Sequence, residues 1–452
     1  MANRAVEPEL STGRQLGLST NTPPPSIPLT FFSLALAGLV ACGVALSLTS
    51  SAAVVDPTQD PVIAAAHLGM LATLSMGVLG AIHQFVPVLT QCPLRSVPLA
   101  RFTFASWLLG SWLLPIGFAS GVEALVEVGG VCAALAIAFL VVNLWTPLGV
   151  HGKGAPVTGL RIAIAGLAAT GAFGGVYVAD RSGAWFDLSG HLLLAHASIG
   201  LLAWLGLTYA SVSEKLVPMF LLSHAPKEQR AGTVAVLAIP IGVLLLSPSL
   251  LFGVSALGWA GGAVVIVGLG AHVVSLANKV RHRRRPADLY LAFVATAEVA
   301  MVSGVALAIG AAIEIGHNHH FGVALAAAAV AAGGGWLLIA LLGHLYKIVP
   351  FVLWQKLRAL GLRTNVHGRQ LVFADLYDHR LAVASYLLAA AGVASASLGF
   401  AISSSDLLGA GGTLLAGAGV ATVGNLSAVP WKTSARLRAK GSARSGASGV
   451  RS

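Results

Sequence analysis

Residues 187–223 read DLSGHLLLAHASIGLLAWLGLTYASVSEKLVPMFLLS. The apolar run is long enough for a helix to cross a bilayer, which takes about 20 residues at ~1.5 Å each. Yet it carries His191 and His196 near one end, and Glu214 and Lys215 near the other, just before Pro218. Ionisable groups cost several kcal/mol in hydrocarbon, so a helix that keeps them turns them towards a site or a packed polar seam and away from lipid.

The rest of the chain has the same character. Of 452 residues 56% are hydrophobic and only 10% charged, with mean hydropathy +0.83. Those values exclude an ordinary soluble domain. Apolar runs long enough to span lie near 31–50, 61–90, 102–120, 122–147, 158–179, 188–221, 233–253, 256–279, 288–312, 321–353, 380–402 and 405–429. The expected fold class is all-α, a polytopic membrane bundle of about twelve transmembrane helices occupying 31–430. Residues 1–30, with TPPPSIP, read as a disordered tail and 431–452 as a basic one.

The net charge of +11 is distributed one-sidedly. Of 27 Lys and Arg, Arg181 alone falls in an opposite-side loop and Lys215 and Lys347 within spans, leaving 24 on one side. That follows the positive-inside rule, so the charge sets topology and does not point to nucleic acid. Both termini are expected in the cytoplasm, and the setting is read as a bacterial inner membrane with lipid as the constant partner. Cys42, Cys92 and Cys132 have no paired spacing, so neither a disulfide framework nor a zinc site is expected.

Three helices end alike: His83-Gln84-Phe85-Val86-Pro87, Glu214-Lys215-Leu216-Val217-Pro218 and Tyr346-Lys347-Ile348-Val349-Pro350. The prolines are 131 and 132 residues apart. A second landmark, Asn143 closing the fourth span, recurs as Ser275 after 132 residues and as Asn425 after a further 150, the excess falling in the long 354–379 loop. Four spans per period preserve orientation, so the sequence predicts three parallel repeats of four helices, near 31–150, 158–282 and 288–430, about a pseudo-threefold axis along the membrane normal. In that register His83, Glu214 and Tyr346 stand four before their prolines, and Gln84, Lys215 and Lys347 three before. They form a polar seam or proton path, or snorkel to the interface.

His67 lies 20 residues before Pro87 and His196 22 before Pro218, roughly 30 Å from the prolines in both helices. Two neutral imidazoles at matched depth on neighbouring helices are what axial ligation of a b-type haem needs; a histidine hydrogen-bonded between helices is the plainer alternative. The two-residue difference is about 200° of helix rotation. A local bulge in the sixth span would correct it, or His191 is the ligand and His196 supports it. The tenth span has Ala326–Ala329 at this depth and places His344 near its other end. His317, His319 and His320 form a loop cluster able to hold copper or zinc loosely. His272 and Glu298 lie within spans as relay members or structural partners.

These residues together resemble subunit I of the haem-copper oxidases, the superfamily of cytochrome c and quinol oxidases and nitric oxide reductases. The similarity to that family runs through His67-Leu68-Gly69-Met70 to Gly80, Val86-Pro87 and Phe104-Ala105-Ser106-Trp107, while His196-Ala197-Ser198-Ile199-Gly200 and His344-Leu345-Tyr346-Lys347-Ile348-Val349-Pro350-Phe351 look like motifs of small uncharacterised oxidase-like proteins. The resemblance implies that His67 is an axial ligand of a low-spin haem, with a partner from the adjacent repeat. It also has limits: residues 233–253 contain no histidine, where the family pairs two for copper, and the family's His-x-His on the tenth helix is missing. Copper is therefore not expected in the core. The expected function is a haem-binding membrane protein passing electrons or sensing a diatomic gas, with other respiratory-chain subunits or an electron donor as partners. A transporter for protons, metal or a small anion, or a non-catalytic partner of a respiratory complex, are the competing readings.

Overall fold

The computed structural model describes residues 21–151, 153–183, 190–225, 230–314, 321–365 and 368–448. Twelve helices in it are long and apolar enough to cross a membrane: α1 (Ser26–Leu48), α2 (Asp60–Thr90), α3 (Val97–Ser120), α4 (Glu123–Gly149), α5 (Ala155–Arg181), α6 (Leu193–Leu221), α7 (Arg230–Phe252), α8 (Ser255–Arg281), α9 (Leu289–Ile313), α10 (Ala324–Ala359), α11 (His379–Ala401) and α12 (Ser405–Ser427). Among the described residues there is no β-strand, only an isolated bridge between Thr364 and Gln370. The all-α, twelve-span expectation holds. The first helix begins at Ser26, inside the stretch read as tail, because Pro28 in a first turn gives up no hydrogen bond. Helical backbone also continues past α12 to Ser448.

Local chemistry sets the ends. Ser96 caps α3 by accepting from Leu99 N at 3.3 Å, and Asp378 caps α11 by accepting from Arg380 N and Leu381 N at 2.8 and 3.1 Å. The entrances to these helices are held from a distance. Asn143 Oδ1 accepts from Ser96 N at 2.9 Å, and Asn425 Oδ1 accepts from Asp378 N at 2.7 Å, each across 47 residues. The asparagine landmark in the sequence is thus a clamp from α4 to the start of α3 and from α12 to the start of α11.

Helix pairs α3/α4, α7/α8 and α11/α12 pack through facing glycines. A Cβ on Gly129 would stand 2.6 Å from Leu114 N, on Gly261 2.6 Å from Leu246 N, and on Gly411 2.6 Å from Ala396 N. Backbones that close leave no room for a side chain, and in lipid such small-residue contacts replace the hydrophobic effect. Gly261→Val is expected to cost about 1–3 kcal/mol by overpacking, read as a lowered unfolding midpoint in detergent.

Helices α2, α6 and α10 form the inner ring. Their apolar windows are 56%, 50% and 61% buried, against 22–44% for the other nine. Each contains a stretch of π-helix: Leu68–Ser75, Ile199–Gly206 and Val330–Leu338. All three stretches end 12 residues before the helix's proline, Pro87, Pro218 or Pro350. Runs of π-helix this long are rare and tend to mark functional sites, since they widen the turn and free carbonyls. Here Leu71 O takes the indole N–H of Trp107 at 3.1 Å, and Leu68 O the hydroxyl of Thr73 at 2.9 Å. Gly38, Gly166 and Gly304 of α1, α5 and α9 sit against Ala72, Ala203 and Ala332 of these stretches. Outward, Phe102, Trp145, Leu244 and Val267 are exposed, an apolar belt for lipid.

Candidate functional site

The first site is where α2 meets α6. The rings of His67 and His196 lie with centroids 6.5 Å apart and planes 28° from parallel. His67 Nδ1–H donates to Ile63 O at 2.8 Å, one turn back on its own helix, so its Nε2 carries the free lone pair. His196 has the Thr170 backbone beside it, but its buried Nδ1 makes no hydrogen bond of good geometry. Gly174 of α5 lies against the His196 ring; a Cβ there would stand 3.2 Å from Cε1. The side chain of His191 and all of His317, His319 and His320 lie outside the described residues.

The sixth span does hold a π-helical stretch, Ile199–Gly206, but the second holds one too, Leu68–Ser75, and the two rings meet with the two-residue offset in place. The same offset recurs within this junction and where α6 meets α10, but not where α10 meets α2, since Gly333 and Met70 touch there and both stand 17 before their prolines. Ser75 stands 12 before Pro87 and accepts from the indole N–H of Trp204, 14 before Pro218, at 3.0 Å. Gly206, 12 before Pro218, packs on the ring of Trp336, 14 before Pro350; a Cβ would stand 2.8 Å from it.

Phe118 of α3 packs on His67 at 5.4 Å, and the Arg181 guanidinium lies 5.4 Å from the Phe118 ring. Arg181 also bridges Asp60 at 2.6 Å and Glu123 at 2.8 Å. The one arginine that broke the charge asymmetry therefore ties the end of α5 to the starts of α2 and α4, beside the imidazole pair. These groups are 30–43% exposed, where ion pairs contribute about 0–1 kcal/mol each. Arg181→Gln is expected to lower stability by no more than about 1–2 kcal/mol, checked by chemical unfolding; a larger loss would mean the trio anchors more than these helix ends.

A second polar cluster lies between α6, α8, α9 and α10. Tyr209 OH donates to Glu298 Oε1 at 3.1 Å, and His272 Nε2–H donates to the same oxygen at 3.2 Å. Glu298 Oε2, His272 Nδ1 and Trp336 Nε1 are buried without partners. His344 Nδ1–H donates to Ala340 O at 2.8 Å, leaving Nε2 to accept from Tyr290 OH at 3.2 Å. Sequence reading found Glu298, His272 and His344 separately. It missed Tyr209 and Tyr290, whose pattern in an apolar run is that of interfacial aromatics.

The residues before the prolines serve different ends. Glu214 accepts from Lys279 Nζ at 2.6 Å and from Ser275 Oγ at 2.8 Å, a buried ion pair inside one quartet. Tyr346 shares a hydrogen bond with Ser385 at 2.9 Å and accepts from Asn425 Nδ2 at 3.4 Å. His83 is fully buried, stacked on Phe31 at 5.3 Å, with Nε2 unpartnered. Gln84 is buried, while Lys215 is exposed. Lys347 reaches Asp288 at 2.5 Å. Of the residues read as a polar seam or proton path, His83 packs on Phe31, Glu214 on Lys279 and Ser275, and Tyr346 on Ser385 and Asn425. Two of them meet the fourth-helix landmark, Ser275 and Asn425.

No protein-family model and no curated relative matches the chain. Among the described residues no group of three His, Cys, Asp or Glu is placed to hold a metal ion.

Proposed function

We propose that this membrane protein binds one b-type haem, with His67 and His196 as its two axial ligands, and that it descends from the same triplicated helix quartet as haem-copper oxidase subunit I. The observation that carries the reading is the 6.5 Å between the two imidazole centres. Two imidazoles sharing one metal, at ~2 Å per bond and with each ring centre ~1 Å further, put their centres about 6 Å apart. A bare pair of packed rings also spans this distance, and the spectrum below separates the two.

The donor set suits the group. Both nitrogens are neutral, they come from different helices, and the Nδ1–H of His67 is held by a backbone carbonyl, the usual way of fixing the ligating tautomer. Bound there, haem supplies one-electron chemistry. Were both imidazoles to hold the iron, they would leave no open position for a gas, and the chemistry supplied would be electron transfer. Triplication is supported by the common 12-residue spacing from π stretch to proline and by the matched asparagine clamps.

The test is a reduced-minus-oxidised spectrum of the purified full chain, supplied with haem during expression. A low-spin b-type spectrum is expected; a colourless, well-folded protein would remove the reading. The transporter reading is favoured by one observation, the buried Tyr209–Glu298–His272 cluster.

A further inference from the structure

Three polar atoms in the cluster between α6, α8, α9 and α10 are buried without a hydrogen bond: Glu298 Oε2, His272 Nδ1 and Trp336 Nε1. Glu298 Oε1 already takes the Tyr209 hydroxyl and His272 Nε2–H, so Oε2 stands free as an acceptor. A neutral His272 that donates from Nε2 keeps a lone pair on Nδ1. Trp336 Nε1–H can only donate. The His272 side chain is 1% exposed and Trp336 is fully buried, and buried polar atoms left unpaired call for an explanation.

The neighbouring junction shows how such an indole is served elsewhere in the ring. Trp204, 14 before Pro218, donates to Ser75 Oγ at 3.0 Å. Trp336, 14 before Pro350, meets Gly206 at the matching position, and a glycine offers no side-chain acceptor. Charge is unbalanced as well. Among the described residues no Lys or Arg pairs with Glu298, whose one basic neighbour within ion-pairing distance is His272. A carboxylate inside a membrane bundle needs a positive partner, and this one, its side chain 12% exposed, is not sealed off.

The surroundings select that partner. The rings of Tyr209, His272 and Trp336 stand 5.3, 5.7 and 6.2 Å from one another. A hard metal ion asks for six or more oxygens. A transition metal asks for three or four ligands, and among the described residues no third His, Cys, Asp or Glu joins Glu298 and His272. An ammonium ion is compact, carries donors alone and is drawn to aromatic faces. We propose that this cluster binds a small ammonium ion, ammonium itself or methylammonium, which donates to Glu298 Oε2 and His272 Nδ1 between the rings of Tyr209 and Trp336. One accompanying water accepts from Trp336 Nε1–H. No covalent bond breaks and no electron moves. The inference deepens the transporter reading by naming a cargo, requires binding alone, and is independent of the haem.

The test is calorimetric titration of the purified full chain at fixed pH and ionic strength, with ammonium chloride, methylammonium chloride and sodium chloride in turn. Saturable binding at one ion per chain is expected for ammonium or methylammonium, and none for sodium. Glu298→Gln keeps the shape and removes the charge. It should weaken binding about tenfold or more, the share of one charge-assisted hydrogen bond. His67→Ala should bind as the wild type does, so the result stands whether or not the haem reading does. Binding without flux into proteoliposomes would support the site and remove transport alone. No saturable heat, equal heat from sodium, or an undiminished affinity in Glu298→Gln would each overturn the proposal. Should Glu298→Gln fail to fold, His272→Phe takes its place, with the same loss expected through the missing Nδ1 acceptor.

Discussion

His67→Ala and His196→Ala are each expected to lose bound haem, leaving less than about one-tenth of the wild-type content, because a single axial nitrogen and apolar packing retain a macrocycle poorly. Neither change should unfold the chain. Both rings are only part-buried, and His67 makes its hydrogen bond within its own helix. Circular dichroism and gel-filtration behaviour should match wild type. His83→Ala and His344→Ala serve as controls: these imidazoles are buried in other places, stacked on Phe31 and bonded to Tyr290. Both controls are expected to keep full haem content. Loss of haem in all four variants alike would point to global destabilisation, and loss in neither His67→Ala nor His196→Ala would remove the ligand assignment.

The largest stability effect is expected at Lys279. Its ammonium is 3% exposed and bonds Glu214 at 2.6 Å and Ser275 at 2.6 Å; Glu214 is 9% exposed. Removing one partner of a buried ion pair leaves an uncompensated charge and costs about 3–5 kcal/mol. Lys279→Met should therefore lower the unfolding free energy by that amount, measured by denaturant titration in detergent. The Glu214 carboxyl fills the space that a side chain at Gly232 would need. The double variant Lys279→Met/Glu214→Gln should recover most of the loss, as replacing a whole buried pair is far cheaper than halving it. A single variant as stable as wild type would mean the pair is solvated.

The architecture was legible because lipid imposes it. Only a satisfied backbone crosses hydrocarbon, so apolar length alone located twelve helices to within a few residues. The proline and asparagine landmarks were legible too, but their meaning was not. Asn143 and Asn425 look like incidental polar residues at helix ends until the chain folds and they clamp Ser96 and Asp378. The histidines were legible by their depth, and their rings lie 6.5 Å apart despite the two-residue offset counted from the prolines. The Tyr209–Glu298–His272 cluster was only half visible. Its members come from α6, α8 and α9, with no common spacing along the chain, and a tyrosine in an apolar helix gives no sign of its partner. Arg181 stood out as the exception to the charge asymmetry, yet its two carboxylates, Asp60 and Glu123, lie 121 and 58 residues away.

Electron paramagnetic resonance of the oxidised, haem-supplemented protein tests the imidazole pair most directly, because the spectrum reports both axial ligands and the angle between their planes. With His67 and His196 both on the iron and their planes 28° from parallel, a rhombic low-spin ferric signal is predicted. A high-spin ferric signal, or no haem signal from folded protein, would contradict it.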